Sequence, residues 1–271
     1  MASARWKEMV LAVDAQSQRI RSASTPADPW VERSQTYRKN PLRHGDLLVE
    51  RLTSHITPEK TVLDIGAGGG RYALPVALKC KHLTAIEPSD AMADYFWLSA
   101  RNANITNVEV IREPWDKANA PQVDIVISEH TIETVPDAAA FIQKANGHAR
   151  EKMIVVMDVS SPDSISARIW QEVYGEARCR LPALNNLMGV LFELGIRNEI
   201  DIIPGRISKS WDTFDDAVRE FAEALFITEG SLLARLKEVM DSQLEKKDGR
   251  LHTPVLPPQQ IAIVSWKISE E

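Results

Sequence analysis

Between Thr61 and Asp158, short runs of aliphatic and β-branched residues alternate with segments of helical pattern. The runs are "TVLDI", "HLTAI", "VEVI", "VDIVI" and "MIVVM". Strands that alternate with helices form a parallel sheet whose crossover helices cover both faces. A later run, "NEIDIIPG", and a closing run, "QQIAIVSWKI", add two more strands. The sequence therefore predicts an α/β fold with a doubly wound, mostly parallel seven-stranded sheet.

Segments outside this alternation divide the chain into four predicted parts. Apolar residues recur at helical spacing before the first strand, and two further apolar stripes follow Thr213. The predicted parts are an N-terminal helical segment at 1–60, a ligand-binding core at 61–205, a helical cap inserted at 206–258, and the closing strand of the core at 259–271.

Composition and charge restrict the class of partner. The formal net charge is -6, so the chain lacks the basic excess by which proteins bind nucleic acid. With only Cys80 and Cys179, it has neither a disulfide framework nor a multi-cysteine metal site. No apolar run approaches the roughly 20 residues that span a bilayer, and no signal-peptide pattern is seen. We expect a cytoplasmic protein that binds a small molecule and neither nucleic acid nor a membrane; the oligomeric state is left open.

The stretch "LDIGAGGGRYALPVALK" contains the main candidate site. A strand that ends near Asp64 is followed by Gly66, Gly68 and Gly70, which lack a Cβ where the chain turns and a ligand lies against the backbone. The next helix is predicted to begin near Tyr72, and its free N–H groups would face the ligand. The turn therefore predicts a bound ligand with polar or negatively charged groups.

Two classes of ligand compete for this turn. The dinucleotide fingerprint G-x-G-x-x-G needs glycine or alanine at position 71, where this chain has Arg71. Asp64 would also repel a pyrophosphate, whereas it suits a ligand with an ammonium group. Glu87, at the end of the second strand, can accept two hydrogen bonds from a ribose diol, which nicotinamide and adenosyl ligands share. Glu87 thus indicates a nucleoside without naming it.

The stretch "VLDIGAGGGRYALPVAL" followed by "LTAIEPSDAM" resembles the first two motifs of class I S-adenosylmethionine-dependent methyltransferases, and in particular small bacterial methyltransferase-domain proteins. Their glycine motif is (D/E)-x-G-x-G-x-G. The resemblance covers roughly Thr61 to Asp158. It implies a Rossmann-like fold, S-adenosyl-L-methionine as cofactor, and transfer of a methyl group to a small-molecule acceptor by direct displacement.

Other functions remain open at this point. A non-catalytic subunit or regulator that binds S-adenosylmethionine or S-adenosylhomocysteine is the alternative, because no secure catalytic signature follows the fourth strand. A nicotinamide oxidoreductase is a third option, against which Asp64 and Arg71 argue.

The resemblance implies a role for each residue of the first two motifs. Asp64 organises the methionine end of the cofactor, and Glu87 holds the ribose hydroxyls. The residues expected to line the methionine moiety are Gly66, Ala67, Gly68 and Gly70.

The resemblance also implies which residues surround the adenine. Pro88 and Met92 lie near the ring, on which the Met92 thioether can pack. The loop "REPWDKA" offers Trp115 for stacking and Asp116 for bonding the exocyclic amine. A core tryptophan and an exposed acid are the alternative interpretation of that pair.

The segment "SEHTIETVPD" follows the fourth strand, where the family has substrate-facing groups. His130 is the candidate general base, since a neutral imidazole can take a proton near pH 7. Glu129 is expected beside the cofactor. Tyr37 either contacts the methionine end or packs on the core. Asp158 and Asp163 follow the fifth strand without a third ligand, so no metal is predicted.

Overall fold

The computed structural model describes residues 1–21, 28, 30, 40–160, 165–205, 210–253 and 259–268. Its ten strands in these ranges are β1 (Thr61–Ile65), β2 (His82–Ile86), β3 (Val108–Ile111), β4 (Val123–Glu129), β5 (Ala149–Asp158), β6 (Glu199–Pro204), β7 (Ser210–Trp211), β8 (Glu245–Lys247), β9 (Arg250–His252) and β10 (Gln260–Lys267). Seven of them form one sheet in the order β3-β2-β1-β4-β5-β10-β6. Strands β1 to β5 pair in parallel, and β10 is antiparallel to both β5 and β6. The predicted seven-stranded, mostly parallel sheet is confirmed.

Helices cover both faces of this sheet. Their bounds are α1 (Ala2–Ile20), α2 (Leu47–Thr53), α3 (Ala73–Ala77), α4 (Asp90–Asn102), α5 (Ala138–His148), α6 (Ile165–Tyr174), α7 (Leu184–Glu193), α8 (Phe214–Ala224) and α9 (Gly230–Gln243). A 3-10 turn spans Ile132–Thr134. Among the helices in the described ranges, none combines the length and the apolar character that crossing a membrane requires.

Several helices begin where a side chain satisfies their free N–H groups. Ser89 accepts a hydrogen bond from the Met92 N–H at the start of α4, and Asp137 accepts one from Ala140 at the start of α5. Thr213 does the same for Asp216 in α8. An oxygen at the N-cap replaces the missing backbone acceptor, which is why short polar residues mark these boundaries in the sequence.

The sheet separates two hydrophobic clusters because successive strand residues point to opposite faces. Leu63 of β1 packs with α1, α5 and α7 on one face, and Val62 packs with α2, α3 and α4 on the other. On the first face, Trp6 is fully buried and its indole N–H donates to the Val135 carbonyl, at 2.9 Å. The N-terminal helix is therefore part of the core that supports the loop after β4.

A third hydrophobic cluster joins elements on either side of β6. Trp170 of α6 packs with Trp211 of β7, Phe221 of α8 and Leu236 of α9. Strands β7, β9 and β8 form a small antiparallel sheet in this region, which helical periodicity did not predict. A division of the chain at residue 205 thus separates α6 from the helices against which it packs. We retain the four-part division as a proposal, with α6 assigned to the cap.

Candidate functional site

The glycine turn follows β1, at the point in the sheet where the strand order reverses. From β1 the chain passes to β2 and β3 on one side, and then to β4 and β5 on the other. The turn is held to its neighbour because Gly66 and Ala67 donate to the Ile86 carbonyl, at 2.9 and 3.1 Å. The crevice at such a switch point is the usual ligand site of open α/β sheets.

The three glycines of the motif differ in what surrounds them, although all have positive φ. A Cβ on Gly66 would lie 2.2 Å from Thr131 Oγ1, and one on Gly70 would lie 2.7 Å from Leu74 Cγ. A Cβ on Gly68 would meet nothing within 4 Å. Gly68 therefore borders open space, whereas Gly66 and Gly70 allow close packing against protein atoms. That all three glycines line a ligand stays a prediction.

Glu87 is tied to the glycine turn by its side chain. One carboxylate oxygen accepts from the Gly68 N–H at 2.8 Å, and the other accepts from the Ser89 N–H at 2.8 Å. Burial raises the pKa of Glu87, while these two hydrogen bonds oppose the increase. Each oxygen keeps a second lone pair, so the carboxylate can still accept from a hydroxyl pair.

Asp64 is buried at the edge of this turn, and its Oδ1 has no hydrogen-bond partner among the residues that the structure describes. Burial raises the pKa of Asp64 well above its usual range, and the negative charges of Glu129 and Glu87 add to the increase. A buried carboxylate without a partner is energetically costly, so its presence indicates a role other than stability. It suits a cationic ligand group, which would satisfy the oxygen and restore its charge.

An apolar cavity of about 720 Å³ opens beside the turn. Its wall includes Ile65, Gly66, Ile86, Pro88, Pro114, Trp115, Asp116, Thr131, Val135, Phe141 and Lys144. The structure thus brings together the predicted adenine-side residues Pro88, Trp115 and Asp116. Met92 is buried in the first turn of α4 and is not among the described residues of this wall.

Lys144 of α5 fixes the loop that carries Trp115. Its ammonium donates to the carbonyls of Trp115, Asp116 and Ala118, at 2.5, 3.3 and 2.9 Å. The same nitrogen lies 4.4 Å from the centre of the Trp115 ring. Three carbonyls use all three donors of an ammonium, so Lys144 acts as a clamp on the cavity wall. No sequence motif indicated this role.

A polar cavity of about 550 Å³ lies on the other side of β4. Its wall includes Arg43, Asp46, Arg71, Tyr72, Glu129, His130, Asp158, Ile203, Pro204, Gln259 and Ile261. Glu129 and His130 therefore face this cavity, together with Asp158 from the end of β5. The sequence reading did not assign Arg43, Arg71 or Tyr72 to a site, although Arg71 directly follows the glycine motif.

His130 occupies a strained position, with φ of 47° in a residue other than glycine. Its Nδ1 lies 3.2 Å from Glu133 Oε1, and its Nε2 lies 3.9 Å from Glu129 Oε1. Burial by itself lowers the pKa of His130, but the hydrogen bond to Glu133 and the negative charges of Glu129, Glu133 and Asp158 raise it to about 9. These interactions favour the protonated form of the imidazole. The role of His130 as a proton acceptor stays a prediction.

The carboxyl group of Glu129 also has a shifted pKa. Burial raises its pKa to about 7, although the positive charges of His130 and Arg71 oppose the increase. A carboxyl group with such a pKa is suited to accept a proton at neutral pH.

A family model described as "Methyltransferase domain" matches residues 35–188, which is more than half of the 271 residues. The chain belongs to this family, the class I S-adenosylmethionine-dependent methyltransferases. The match covers α2 through the first half of α7, and so includes both cavities' walls up to Asp158. Strands β6 and β10 and the cap elements β7 to β9 lie outside it.

Individual relatives of this methyltransferase domain are distant. The chain is 36% identical over 73 residues to "Probable ribosomal RNA small subunit methyltransferase A" of Methanosphaera stadtmanae, which is 27% of each chain. It is 32% identical over 116 residues to (S)-tetrahydroprotoberberine N-methyltransferase of Eschscholzia californica, covering 42% of this chain and 33% of that protein. The chain thus spans a third or less of the length of these two curated relatives.

A solved structure of coclaurine N-methyltransferase bound to N-methylheliamine and S-adenosylhomocysteine has a similar fold. Its TM-score is 0.53 at 13% identity, and the match covers 97% of this chain and 88% of that one. At this identity the likeness concerns the fold alone.

Two of the sequence predictions remain open. Tyr37 and Asp163 lie outside the described residues. Within the described ranges, no group of three or more His, Cys, Asp or Glu side chains has an arrangement that could hold a metal ion. The expectation that no metal is used stays a prediction.

Proposed function

We propose that the protein is a methyltransferase that binds S-adenosyl-L-methionine and methylates a small-molecule acceptor. The observation that carries this proposal is the pairing of a buried, unpartnered Asp64 oxygen with an open glycine turn held by Glu87. The Asp64 carboxylate suits the ammonium of the methionine moiety, and the Glu87 carboxylate suits the ribose diol. The residues present therefore fit the family's cofactor.

In this proposal the cofactor runs from the apolar cavity across the glycine turn. Pro88, Trp115 and Asp116 would surround the adenine, and the open space over Gly68 would take the methionine moiety. Ala67 supports the turn, since its carbonyl accepts from the Gly70 N–H at 3.0 Å. Gly70 and Met92 would act through packing rather than through ligand contact, whereas Gly66 packs against Thr131 and also borders the apolar cavity.

The cofactor supplies an activated methyl group, so this chain mainly needs to align the acceptor and exclude water. The polar cavity beside β4 is the proposed acceptor site. In it, Glu129 is the group suited to take a proton at neutral pH, whereas His130 keeps its proton and stabilises negative charge around it. We therefore assign the role of general base to Glu129 in place of His130.

The size of the polar cavity favours a small acceptor, because about 550 Å³ is within the range of small-molecule sites. The net charge of -6 disfavours a polyanionic acceptor. A small acceptor also matches the alkaloid named in the description of the N-methyltransferase relative. The ribosomal RNA methyltransferase relative is the reason to include RNA as a tested acceptor.

Titration of the purified chain with S-adenosylhomocysteine in a calorimeter tests the cofactor. We expect one binding site; a flat titration at high protein concentration would refute it. Transfer of a labelled methyl group is then measured with a small-molecule library and with RNA. Tight cofactor binding without transfer to any acceptor would instead support the non-catalytic binding role.

A further inference from the structure

The polar cavity carries charges of both signs on different parts of its wall. Arg71 comes from the residue after the glycine turn, whereas Glu129 and Asp158 come from the ends of β4 and β5. The positively and negatively charged side chains have different partners in the structure. Those partners indicate which charged groups the acceptor carries.

Arg71 forms no salt bridge with an acid in the part of the chain that the structure describes, although its positive charge acts to lower the pKa of Glu129 and Asp46. Its guanidinium lies 5.0 Å from the centre of the Tyr72 ring, and its buried Nε has no hydrogen-bond partner. Asp46 is bound by Arg43, whose Nε donates to it at 2.8 Å. Because arginine does not lose its proton, a half-buried guanidinium of this kind favours an anion in the cavity.

Arg43 holds this arrangement in position. Its Nη1 donates to the Arg71 carbonyl at 2.9 Å, and its guanidinium also lies over the Tyr72 ring, at 5.3 Å from the centre. The backbone of Arg71 and the ring beside it are thereby fixed. The guanidinium of Arg71 consequently costs less to order when it binds a ligand.

Glu129 and Asp158 form the complementary part of the wall. Burial raises the pKa of both carboxyl groups, and the negative charge of Glu133 adds to the increase. The positive charge of His130 opposes this increase in both groups. A ligand ammonium next to them would act in the same direction and would replace the water lost on burial.

We propose that the polar cavity binds a zwitterionic acceptor of the amino-acid class, with its carboxylate held by Arg71 and its amine directed at Glu129 and Asp158. This inference rests on the proposed methyltransferase function and names the substrate class of the same site. For the nitrogen to receive the methyl group, its ammonium form first gives one proton to the Glu129 carboxylate. The nitrogen lone pair would then bond to the methyl carbon as the carbon–sulfur bond breaks, which leaves S-adenosylhomocysteine and a protonated Glu129.

The position of the cavity favours the acceptor over the cofactor as the ligand of Arg71. Ile203, Pro204 and Ile261 come from β6 and β10, which lie beyond β5 and away from the glycine turn. Asp64, by contrast, lies on β1 next to the turn and already offers a carboxylate for the methionine ammonium. The cavity thus begins at Arg71 and Tyr72, beside the turn, and extends from there toward β10 and β6.

The test uses the full-length protein saturated with S-adenosylhomocysteine. Free amino acids with small, aromatic and aliphatic side chains are titrated by calorimetry, each beside its primary amide and its N-acetyl derivative. We expect at least one free amino acid to bind roughly tenfold or more tightly than both derivatives, as is typical of charge-assisted hydrogen bonds. A panel in which no amino acid has this preference refutes the proposal.

Two variants assign the two ends of the ligand. Arg71→Gln is expected to remove the preference for the acid over the amide, and Glu129→Gln to remove the preference for the free amine over the acetyl form. The affinity for S-adenosylhomocysteine should stay within about threefold of the original in both. Arg5→Gln, an exposed change on α1, is the matched control and should change none of these values.

The outcomes separate this inference from the proposed function. If Arg71→Gln weakens S-adenosylhomocysteine tenfold or more, Arg71 binds the cofactor carboxylate and the inference is wrong. If the unaltered protein does not bind S-adenosylhomocysteine at all, the proposed function fails, whatever the amino acids do.

Discussion

The carboxylate of Glu87 accepts a hydrogen bond from the backbone N–H of Gly68, so the end of β2 holds the open part of the turn after β1. The Gly68 and Ser89 amides approach the two oxygens of one carboxylate, at 2.8 Å each. One side chain therefore shapes the turn and, in the proposed function, binds the ribose.

Glu87→Gln should weaken S-adenosylhomocysteine roughly tenfold to a hundredfold. A glutamine side chain can accept a hydrogen bond from one of the two backbone N–H groups. Its NH₂ group would face the other N–H, and two donors cannot form a hydrogen bond with each other. Calorimetry measures the affinity, and circular dichroism verifies the fold. Glu59→Gln, at an exposed position before β1, is the control. An unchanged affinity in Glu87→Gln would contradict the ribose assignment.

Gly68→Ala and Gly70→Ala should affect different properties. Both add a Cβ at positive φ, which costs about 1–2 kcal/mol of folding free energy. At Gly70 the new atom also lies 2.9 Å from Phe96 Cδ2, which adds about 1–3 kcal/mol of overpacking. We expect Gly70→Ala to have the lower Tm and Gly68→Ala to lose cofactor affinity with the smaller change in Tm. The reverse order in thermal unfolding would show that Gly68 is the packed position.

Asp64→Asn should separate stability from binding. Replacing a buried, unpartnered carboxyl by an amide removes a group that is costly to ionise, so Tm should rise above pH 7 or stay unchanged. Affinity for S-adenosylhomocysteine should fall by roughly tenfold or more because the ligand ammonium loses its partner. Thermal unfolding and calorimetry on one preparation give both values. If Asp64→Asn binds S-adenosylhomocysteine as tightly as the original protein does, Asp64 does not contact the cofactor.

Lys144→Met should release the loop between β3 and β4. The ammonium binds three carbonyls, so its removal leaves these groups without their donor and is expected to lower stability by about 1–3 kcal/mol. Chemical denaturation measures the stability. Lys117→Met, an exposed change in the same loop, serves as the matched control. Equal stability of the two variants would mean that the clamp contributes nothing.

The charge of His130 predicts a decrease in stability as the pH rises. Its pKa is about 9 in the folded protein, above the ordinary histidine value of 6.5, so the folded state binds the extra proton more strongly. The resulting stabilisation is complete below pH 6.5 and is lost as the pH rises through 9. Since the side chain is 34% exposed, we discount the effect for solvent screening to about 1–2 kcal/mol. The decrease between pH 6 and pH 9 should be smaller in His130→Asn than in His252→Asn, as measured by denaturation at both pH values. A part of it should remain in both variants, because the pKa of Glu129 is raised to about 7 and this carboxyl group also loses stabilisation as the pH rises.

Local patterns in the chain were sufficient for the sheet and for the turn. The strands from "TVLDI" to "MIVVM" are recognised because a parallel strand buried on both faces needs a continuous apolar run. Ser89 and Asp137 mark helix starts because capping involves residues three positions apart. The glycine motif specifies its backbone for the same reason, since positive φ is a property of single residues.

The tertiary structure decided the contacts between residues far apart in the chain. Thr131 against Gly66, Lys144 against the Trp115 loop, and Arg43 against Arg71 each join loops whose spacing follows no periodicity. The protonation of His130 likewise depends on Glu133 and Asp158, which the fold brings to one cavity. Short-range backbone preferences thus determined the strands, the caps and the turn from the sequence, whereas charge, burial and shape of the two cavities arise only when distant segments pack together.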